Sequence, residues 1–472
     1  MAHIPALFRR IIDFYRDREY FLLLVKFALP IALQNLIMSS LNMVAVILIG
    51  QLGETSVAAV GLANQVWFLL NLVVFGVVSG AAMFMAQLWG RGDIPNVRRV
   101  LGLTVKLGLL AALLFWALAS FFSSTVLQLY TRDVAVIEQG SHFLRIIAWS
   151  YGPFAISASY YVALRSTGNV RLPLVVSTCA LGLNILLSYP LIFGIHGIGL
   201  PALGINGAAI ASLVARLVEL LAVLVFVYRD PSSPVSASLR DLIAVDLKFS
   251  AAVLKPILPV IANETLWSLG ITTYNSIYGH IGTTAVAAIN IVSTIDQLAF
   301  VLFLGLGTAT AIMVGNLIGQ GDKEKAFRYA GRSLGLQGVG AFLMGIIVIM
   351  FAGNIFQVYK VSPEVIASAH KILVVMALGM WVRASNHVII LGILRSGGDT
   401  RFSLVLDGLV IWFVGVPLTA AGAFLFHLPI HLVYALTLSE ESVKFAVGLG
   451  RYFSRKWIND LSGHVTQIDD SP

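Results

Sequence analysis

Two acidic side chains lie deep inside long apolar stretches of this 472-residue chain. Glu264 is about eight residues into one stretch, and Asp296 is about ten residues into the next. Because apolar surroundings disfavour the charged form of a carboxyl group, such a residue can take up a proton near neutral pH. Its oxygens can also bind a metal cation. Glu264 is therefore the first candidate for a cation-coupling group, with sodium as the possible metal, and Asp296 is the second.

Side chains on the same stretch as Glu264 could complete such a site. Ser268 and Asn275 follow it at i+4 and i+11, which places their hydroxyl and amide oxygens on one stripe of a helix. Binding of a proton or of sodium would then change the charge of that stripe. The alternative is that Glu264 is a buried acid paired with Arg383, a contact that would only orient two helices.

The segment "WVRASNHVIILG" (381–392) places a second set of polar groups in an apolar stretch. His387 titrates near neutrality and would suit protons. It could equally be a neutral histidine bonded to a helix neighbour. Arg383 would compete with sodium for a carboxylate. Asp296 has two possible roles: it could pair with Arg383, or it could help to neutralise a cationic substrate. Asn386 is typical of a hydrogen bond between membrane helices.

The first apolar stretch carries only neutral polar groups, among them Gln34, Asn35 and Asn42. Amide side chains do not titrate, so no proton switch is expected there. These residues are predicted to be polar partners in a cleft.

Aromatic and amide side chains occur together on two other stretches. An aromatic wall with a few amides suits flat, amphipathic cations through stacking and cation–π attraction. The alternative is that the rings pack against neighbouring helices or lipid. The candidates for lining a substrate site are Asn64, Gln65, Trp67, Phe68, Phe300 and Phe303.

The remaining charges in apolar stretches have simpler interpretations. Asp407 follows Arg401 closely and is expected to be an interfacial charge. Helical i+3 or i+4 spacing predicts local ion pairs for Arg216 with Glu219, and for Glu440 and Glu441 with Lys444.

Composition shows which elements must position these residues. Hydrophobic residues make up 58% of the chain and charged residues 11%, against about 25% charged residues in soluble domains. The mean hydropathy is +0.89. The apolar runs can cross about 30 Å of hydrocarbon as helices, whereas membrane strands would be shorter and would alternate strictly. About twelve spans are predicted, at 24–50, 60–88, 100–122, 137–160, 173–194, 207–228, 256–278, 286–318, 334–353, 370–393, 404–427 and 430–450.

The excess of positive charge follows the predicted loops. The net charge is +8, and most basic residues fall in alternate loops, such as those of Arg98, Arg165 and Lys325. This positive-inside pattern places both termini of a multi-pass protein in the cytoplasm. The expected location is a bacterial-type plasma membrane. The lipid bilayer, rather than nucleic acid, is the expected partner. The single cysteine, Cys179, excludes an internal disulfide and a cysteine-based metal cluster.

The two halves of the chain repeat one another. The loop "LRSTGNVRLPL" (164–174) returns 230 residues later as "LRSGGDTRFSL", and segment 49–93 returns 229 residues later as 278–322. The second match keeps glycines and aspartates in register, for example Asp93 with Asp322. Halves with six spans each begin and end on the same side, so they are parallel repeats related by an axis along the membrane normal.

The repeat predicts an all-α integral membrane fold, with about twelve transmembrane helices in two six-helix lobes. Two pseudo-symmetric bundles that meet at a cleft are the mechanical design of an alternating-access transporter. The predicted parts are an amphipathic cytoplasmic N-terminus (1–23), an N-lobe (24–228), a cytoplasmic linker (229–255), a C-lobe (256–452) and a cytoplasmic tail (453–472).

Other chemistries find little support in the sequence. The chain contains no GxxxxGK[ST] phosphate loop and no HExxH or similar histidine spacing. No cofactor is predicted, and the chain is not expected to be an enzyme. An intramembrane enzyme acting on lipids would need a convergent pair such as Glu264 with His387.

Motifs along nearly the whole chain resemble those of the multidrug and toxic compound extrusion (MATE) family. The resemblance implies two six-helix lobes in a V, and export of organic cations or other amphipathic compounds coupled to protons or sodium. It also implies an essential glutamate on helix seven, at Glu264, and we expect a monomer. The motifs are "GQLGETSVAAVGLA", "AQLWGRGD", "GNLIGQGD", "LRSTGN", "LRSGGD", "LNILLSYPLIFG", "LGINGAAIAS" and "GRYFSRKW".

The chain departs from better-known members of that family at two positions. The helix-one aspartate of many bacterial members falls at Ala45, and the helix-ten aspartate of sodium-coupled members falls near Ala384. The choice between proton and sodium therefore stays open. A related family of flippases for lipid-linked glycans shares the lobed architecture and is an alternative. It would line its cleft with basic residues, for which Arg383 and Arg145 are the candidates here.

Overall fold

The chain folds into helices joined by short turns, without a β-strand in the ranges that the structure describes. These ranges of the computed structural model are 14–195, 199, 201–243, 246–357, 359 and 361–463.

Six helical segments of the first half match the six spans predicted there. α4 consists of two α-helices, Val134–Ile147 and Tyr151–Ser166, joined by a 3₁₀ turn at Ala148–Ser150. A short helix, Ser123–Gln128, precedes it. The six are α1 (Arg18–Gly50), α2 (Glu54–Arg91), α3 (Ile94–Phe121), α4 (134–166), α5 (Arg171–Phe193) and α6 (Ile205–Arg229).

Six further segments match the spans of the second half. A short helix, Leu239–Ile243, precedes them, and α10 ends in a π-helical segment, Val388–Arg395. α11 contains three more π-helical segments, Leu404–Leu409, Ile411–Gly415 and Ala421–Leu425. The six are α7 (Leu247–Ile281), α8 (Thr283–Gly319), α9 (Lys323–Phe356), α10 (Pro363–Arg395), α11 (Thr400–Leu425) and α12 (Ile430–Ser454).

Within the described part of the chain, nine of these helices are long and apolar enough to cross a membrane. The other three are α4, which its 3₁₀ turn divides, and α7 and α12, which carry several polar and acidic side chains. The predicted all-helical membrane fold with two repeated halves is confirmed.

The repeated loops have the same local structure in both halves. Gly92 follows α2 with φ of +81°, and Gly321 follows α8 with φ of +84°. This left-handed backbone conformation strains any residue with a Cβ atom, which explains the glycines. Asp93 and Asp322 come next, and each side chain accepts a hydrogen bond from the backbone N–H three residues on, at 3.2 and 2.9 Å. These are N-caps of α3 and α9, so the repeat of the sequence is a repeat of helix ends.

The helices form two compact units. The C-unit comprises the described residues up to Ala32 and those from Leu258 onwards, and the N-unit comprises residues 33–257. Tyr274 and Met376 lie in the apolar core of the C-unit. Leu70 and Tyr151 lie in that of the N-unit.

The segment before α1 is held against α9 within the C-unit. Arg332 donates hydrogen bonds to the backbone carbonyl of Phe14 and to the carboxylate of Asp17. The hydroxyls of Tyr20 and Ser333 are 3.0 Å apart. Partial burial raises the pKa of the Asp17 carboxyl, but the backbone N–H of Tyr20 and the Arg332 guanidinium outweigh it and leave that pKa below its usual value.

The predicted linker packs against α3 within the N-unit. Nε of Arg98 donates to the carbonyl of Pro234 at 3.1 Å, and Nζ of Lys106 donates to that of Ile243 at 2.8 Å. The apolar side chains of Ile243 and Leu247 remain exposed. An exposed apolar edge beside basic residues is typical of a segment at a membrane interface.

Candidate cation-coupling site

The carboxylate of Glu264 is buried in the C-unit and paired with an arginine. Glu264 lies on α7 with 8% of its surface exposed, and its Oε1 is 2.6 Å from Nη1 of Arg395. Arg395 ends the π-helical segment of α10 and is itself buried. The partner is not Arg383, which the sequence suggested. Arg383 is twelve residues earlier on the same helix, or about 18 Å along its axis, and contacts a different acid.

Arg383 pairs with Asp296 of α8. Its Nη1 lies 2.9 Å from both carboxylate oxygens of Asp296, and its guanidinium lies 5.3 Å from the centre of the Phe300 ring. The sequence left two roles open for Asp296, an ion pair with Arg383 or neutralisation of a cationic substrate, and the structure contains the ion pair. The aromatic ring next to this pair gives the C-unit a group in which a cation, a carboxylate and an aromatic face meet.

His387 lies on α10 between the two arginines. Its ring centre is 5.8 Å from that of Phe300, and its Cδ2 and Nε2 pack against Gly307 of α8. Nε2 is buried and makes no hydrogen bond to any described residue. The structure therefore gives this nitrogen no helix neighbour as a partner.

Asp407 is not the interfacial charge that its distance from Arg401 suggested. Its residue surface is 9% exposed, and its Oδ1 accepts a hydrogen bond from Nζ of Lys444 at 3.0 Å. Its Oδ2 accepts another from Nδ2 of Asn263 at 3.1 Å. Asp407 lies in a π-helical segment of α11, about ten ångströms along the axis from the first residue of that helix. At this distance the side chain is in the interior and not at the helix end.

Lys444 is the centre of a larger group, which we call the α12 cluster: Asp407, Glu440, Glu441 and Lys444. Nζ of Lys444 is 3.6 Å from Glu440 and 4.0 Å from Glu441. The predicted pairs of Lys444 with Glu440 and with Glu441 are present, but Asp407 of α11 is nearer to Lys444 than either glutamate is. Nδ2 of Asn386 also donates to Oε2 of Glu441 at 2.6 Å, which links α10 to α12.

Glu440 contacts Lys444 through Oε1, and its second carboxylate oxygen, Oε2, lies beside Gly415. Its Oε2 and the hydroxyl of Tyr274 both lie against Gly415, the last residue of a π-helical segment of α11. Both oxygens are buried and make no hydrogen bond within the described ranges. The absence of a side chain at Gly415 lets α7, α11 and α12 approach closely at this point.

The N-unit has a counterpart of the Glu264–Arg395 pair. Arg165, which matches Arg395 in the repeat, places Nη2 2.6 Å from Oε1 of Gln34 on α1. Nε2 of Gln34 donates to the hydroxyl of Ser177 at 2.7 Å. Elsewhere in this unit, the predicted pair of Arg216 and Glu219 is confirmed at 2.7 Å.

The other predicted site residues have mixed surroundings. Asn35 and Trp67 are half-buried, and the Trp67 ring centre is 5.8 Å from that of Phe154. Phe303 is buried in the core of the C-unit. The side chain of Asn42 lies outside the described residues. The exposed members of the set are Asn64, Gln65, Phe68 and Asn275.

Asn275 is too far from Glu264 to share an ion with it. Eleven residues of helix separate them, or about 16 Å. Among the described residues, no group of three or more His, Cys, Asp or Glu side chains is arranged to hold a metal ion.

Sequence reasoning missed Arg395 as the partner of Glu264 and Asp407 as a partner of Lys444, although both left a signal. Arg165 and Arg395 stand at the same place in the repeated loop. Asp407 and Lys444 fall inside predicted spans, where an ionisable residue is a functional candidate by default.

Two stretches of the chain, 30–190 and 259–452, match the MatE family. The chain belongs to this family. Each stretch covers most of one half, so the family pattern occurs twice, as the internal repeat requires. MATE proteins are multi-pass membrane transporters, and the resemblance found in the motifs is thereby confirmed.

Curated relatives and solved structures agree with the MATE assignment. The probable multidrug resistance protein NorM of Thermotoga maritima is 24% identical over 435 residues, which cover 92% of each chain. The probable multidrug resistance protein YoeA of Bacillus subtilis is 26% identical over 397 residues, or 83% of this chain and 84% of that one. The Vibrio cholerae MATE transporter VcmN in its bent form has a TM-score of 0.83 at 19% identity, covering 93% and 97% of the two chains.

A second solved structure shows the same fold with a different site. A MOP superfamily transporter from Pyrococcus furiosus has a TM-score of 0.81 at 19% identity, covering 92% of this chain and 95% of that one. Its binding pocket is described as reversed in polarity, suggesting a different function. The fold alone does not decide the substrate.

Proposed function

We propose that this MATE protein is a secondary active multidrug efflux antiporter. It exports organic cations or amphipathic compounds in exchange for protons or sodium, by alternating access. It works as a monomer in a bacterial-type plasma membrane with both termini in the cytoplasm, an orientation that its basic loops support. Residues 24–228 form its N-lobe and residues 256–452 its C-lobe. Relatives named as multidrug resistance proteins support this class of substrate.

The buried pair of Glu264 and Arg395 is the observation that carries the proposal. Removing one partner of a buried ion pair costs about 3–5 kcal/mol, because the other charge is left uncompensated. Arg395 therefore leaves Glu264 only when another positive charge replaces it. A coupling ion that binds Glu264 frees the end of α10, and this exchange links the ion to a movement of the helix.

The geometry of the pair favours a proton over sodium. Nη1 of Arg395 is 2.6 Å from Oε1 of Glu264, so the guanidinium stands where a metal ion would bind. Sodium would need several oxygen ligands in that space, and Asn275 cannot supply one. A proton needs only the carboxylate oxygen itself.

Cationic aromatic substrates fit the group formed by Asp296, Arg383 and Phe300. A planar guanidinium lies beside an aromatic ring there and is neutralised by a carboxylate. A flat organic cation can make the same contacts. The exposed Asn64, Gln65 and Phe68 of α2 are further candidates for contact with such a substrate.

Recognition of a lipid-linked pyrophosphate is less well supported. A flippase for such a lipid would need basic side chains with free donors. The charge of Arg383 is neutralised by Asp296, and Arg145 is exposed with its Nε donating to Ser123.

Ethidium transport by the purified chain in proteoliposomes tests the proposal. A pH gradient and a sodium gradient are imposed separately, and wild type accumulates ethidium uphill under at least one of them. A potential of 100 mV supplies about 2.3 kcal/mol for each charge moved, enough for tens-fold accumulation. Glu264→Gln abolishes the uphill component.

Glu219→Gln is the matched control. Glu219 is also a buried acid paired with an arginine, but it lies on α6 outside the site. It is expected to retain gradient-driven transport. Uphill extrusion by the Glu264→Gln protein would show that Glu264 is not the coupling residue.

A further inference from the structure

The α12 cluster contains more acids than bases. Asp407, Glu440 and Glu441 surround the single ammonium of Lys444, at 3.0, 3.6 and 4.0 Å. The two arginines of α10 each contact an acid outside the cluster, Arg383 with Asp296 and Arg395 with Glu264. With all three acids ionised, the four side chains of the cluster would carry a net charge of −2.

Such a surplus is not stable in the interior of a membrane protein. The side chain of Lys444 is 1% exposed and that of Glu440 is 4% exposed. Uncompensated charge in this environment is costly, and a carboxylate that lacks a counter-ion lowers the cost by taking up a proton. At least one acid of the cluster is therefore expected to be neutral.

The hydrogen bonds distinguish Glu440 from the other two acids. Asp407 accepts from Lys444 and Asn263, and Glu441 accepts from Asn386. Oε2 of Glu440 accepts no hydrogen bond from any residue in the described ranges, and it is buried against Gly415. The nearby polar group is the buried hydroxyl of Tyr274, which also lies against Gly415 and which a protonated Oε2 could use as its acceptor.

A proton fits this place better than a metal cation does. Lys444 already fills the centre of the cluster with a positive charge, and a metal ion among the same carboxylates would be repelled by it. Protonation adds no second cation. It forms one O–H bond on Oε2, with the proton taken from water, and it removes one of the two surplus charges.

We infer that Glu440 is a proton-binding residue, and that it forms with Lys444 and Asp407 a second ion-coupling site in the C-lobe, separate from Glu264. Its role in transport rests on the proposed antiport. The surrounding groups account for the choice of Glu440, since Lys444 lies nearer to Asp407, at 3.0 Å, than to Glu440, at 3.6 Å. The titratable and charged side chains around Glu440 are Tyr274, Tyr278, Asp407, Glu441 and Lys444.

Infrared spectroscopy of the purified full chain in an ester-free detergent tests proton binding without any substrate. Spectra recorded across a pH series separate the C=O stretch of a protonated carboxylic acid from the bands of carboxylates. We expect this C=O band at neutral pH in wild type and its loss in Glu440→Gln. Glu219→Gln is the control, because Glu219 is equally buried at 3% exposure but has a partner on each oxygen. It should keep the band.

A second variant covers the case in which Glu440→Gln does not fold. Glu440→Asp keeps the acid but shortens the side chain, so its C=O band should shift in frequency. A band that is unchanged in Glu440→Asp, or that persists in folded Glu440→Gln, overturns the assignment to Glu440. Absence of the band in wild type overturns it as well.

Transport measurements then test the coupling. In proteoliposomes, Glu440→Gln is expected to lose ethidium accumulation driven by a pH gradient and to keep downhill exchange of ethidium. Unchanged accumulation would reject the coupling role. If wild type accumulates no ethidium under either gradient, the proposed antiport fails, while the infrared result still decides whether Glu440 carries a proton.

Discussion

Arg395 holds the carboxylate of Glu264 at 2.6 Å inside the C-unit, although the two residues lie on α10 and α7. In the N-unit, Arg165 holds the side-chain oxygen of Gln34 at the same distance. The two halves therefore share one contact, in which the arginine that closes the fourth helix reaches back to the first. Among the residues that the structure describes, the arginine has a carboxylate partner only in the second half, and this difference makes the contact there a candidate for coupling.

The stability of the chain should depend on having both members of this pair. We expect Arg395→Gln to lower the free energy of unfolding by about 3–5 kcal/mol, because it leaves a buried carboxylate unpaired. The double variant Glu264→Gln/Arg395→Gln should recover much of the loss, since no charge remains. Thermal unfolding in detergent measures both effects. Arg145→Gln, at an exposed position, is the control, and equal losses in the single and double variants would contradict the pairing.

The pair of Asp296 and Arg383 can be separated into structural and substrate-binding roles. Asp296→Asn and Arg383→Gln should each lower the free energy of unfolding. The double variant should lose less than the sum of the two single losses, by an interaction energy of about 0.5–3 kcal/mol. If Asp296 also neutralises a cationic substrate, the folded double variant will bind ethidium at least tenfold more weakly, a change of about 1.4 kcal/mol. Fluorescence titration measures this. Wild-type affinity in the double variant would leave Asp296 with a structural role only.

Gly415 should be intolerant of a side chain. A Cβ atom there would lie 2.5 Å from Oε2 of Glu440 and nearer still to the Tyr274 hydroxyl, so Gly415→Ala should destabilise by about 1–3 kcal/mol. Gly450 of α12 is the control, because a Cβ atom there meets nothing within 4 Å. Gly450→Ala should stabilise its helix by about 0.5–1 kcal/mol. A Gly415→Ala protein with the melting temperature of wild type would rule out close packing at this point.

The segment before α1 should detach from α9 only in acid. The pKa of the folded Asp17 carboxyl lies below its unfolded value of about 3.9, so its contribution to stability is complete above that value and is lost as the pH falls through the folded pKa. Asp17→Asn should mimic this loss at neutral pH. Faster amide hydrogen exchange over residues 14–24 would report it, with the exposed Asp246→Asn as control. Unchanged exchange would show that Arg332 does not depend on Asp17 to hold the segment.

The architecture could be predicted from the sequence because its signals are local. Apolar runs longer than the membrane is thick must be helices, since a backbone in lipid has to satisfy its own hydrogen bonds. Gly92 and Gly321, each followed by an aspartate N-cap, terminate helices by their own backbone conformation and hydrogen bonding. Their recurrence at a fixed shift established two parallel halves, and with the motifs it established the family.

The partners of the buried charges were decided only by the tertiary structure. Spacing along the chain suggested Arg383 for Glu264 and the membrane interface for Asp407. Packing instead brought Arg395 to Glu264 and Lys444 to Asp407. Periodicity gives the face of a helix on which a residue lies, but the neighbour of that face depends on how each helix is rotated and displaced against the others. In α10 and α11 the π-helical segments change that rotation part-way along, so no helical count from the sequence could have predicted these contacts.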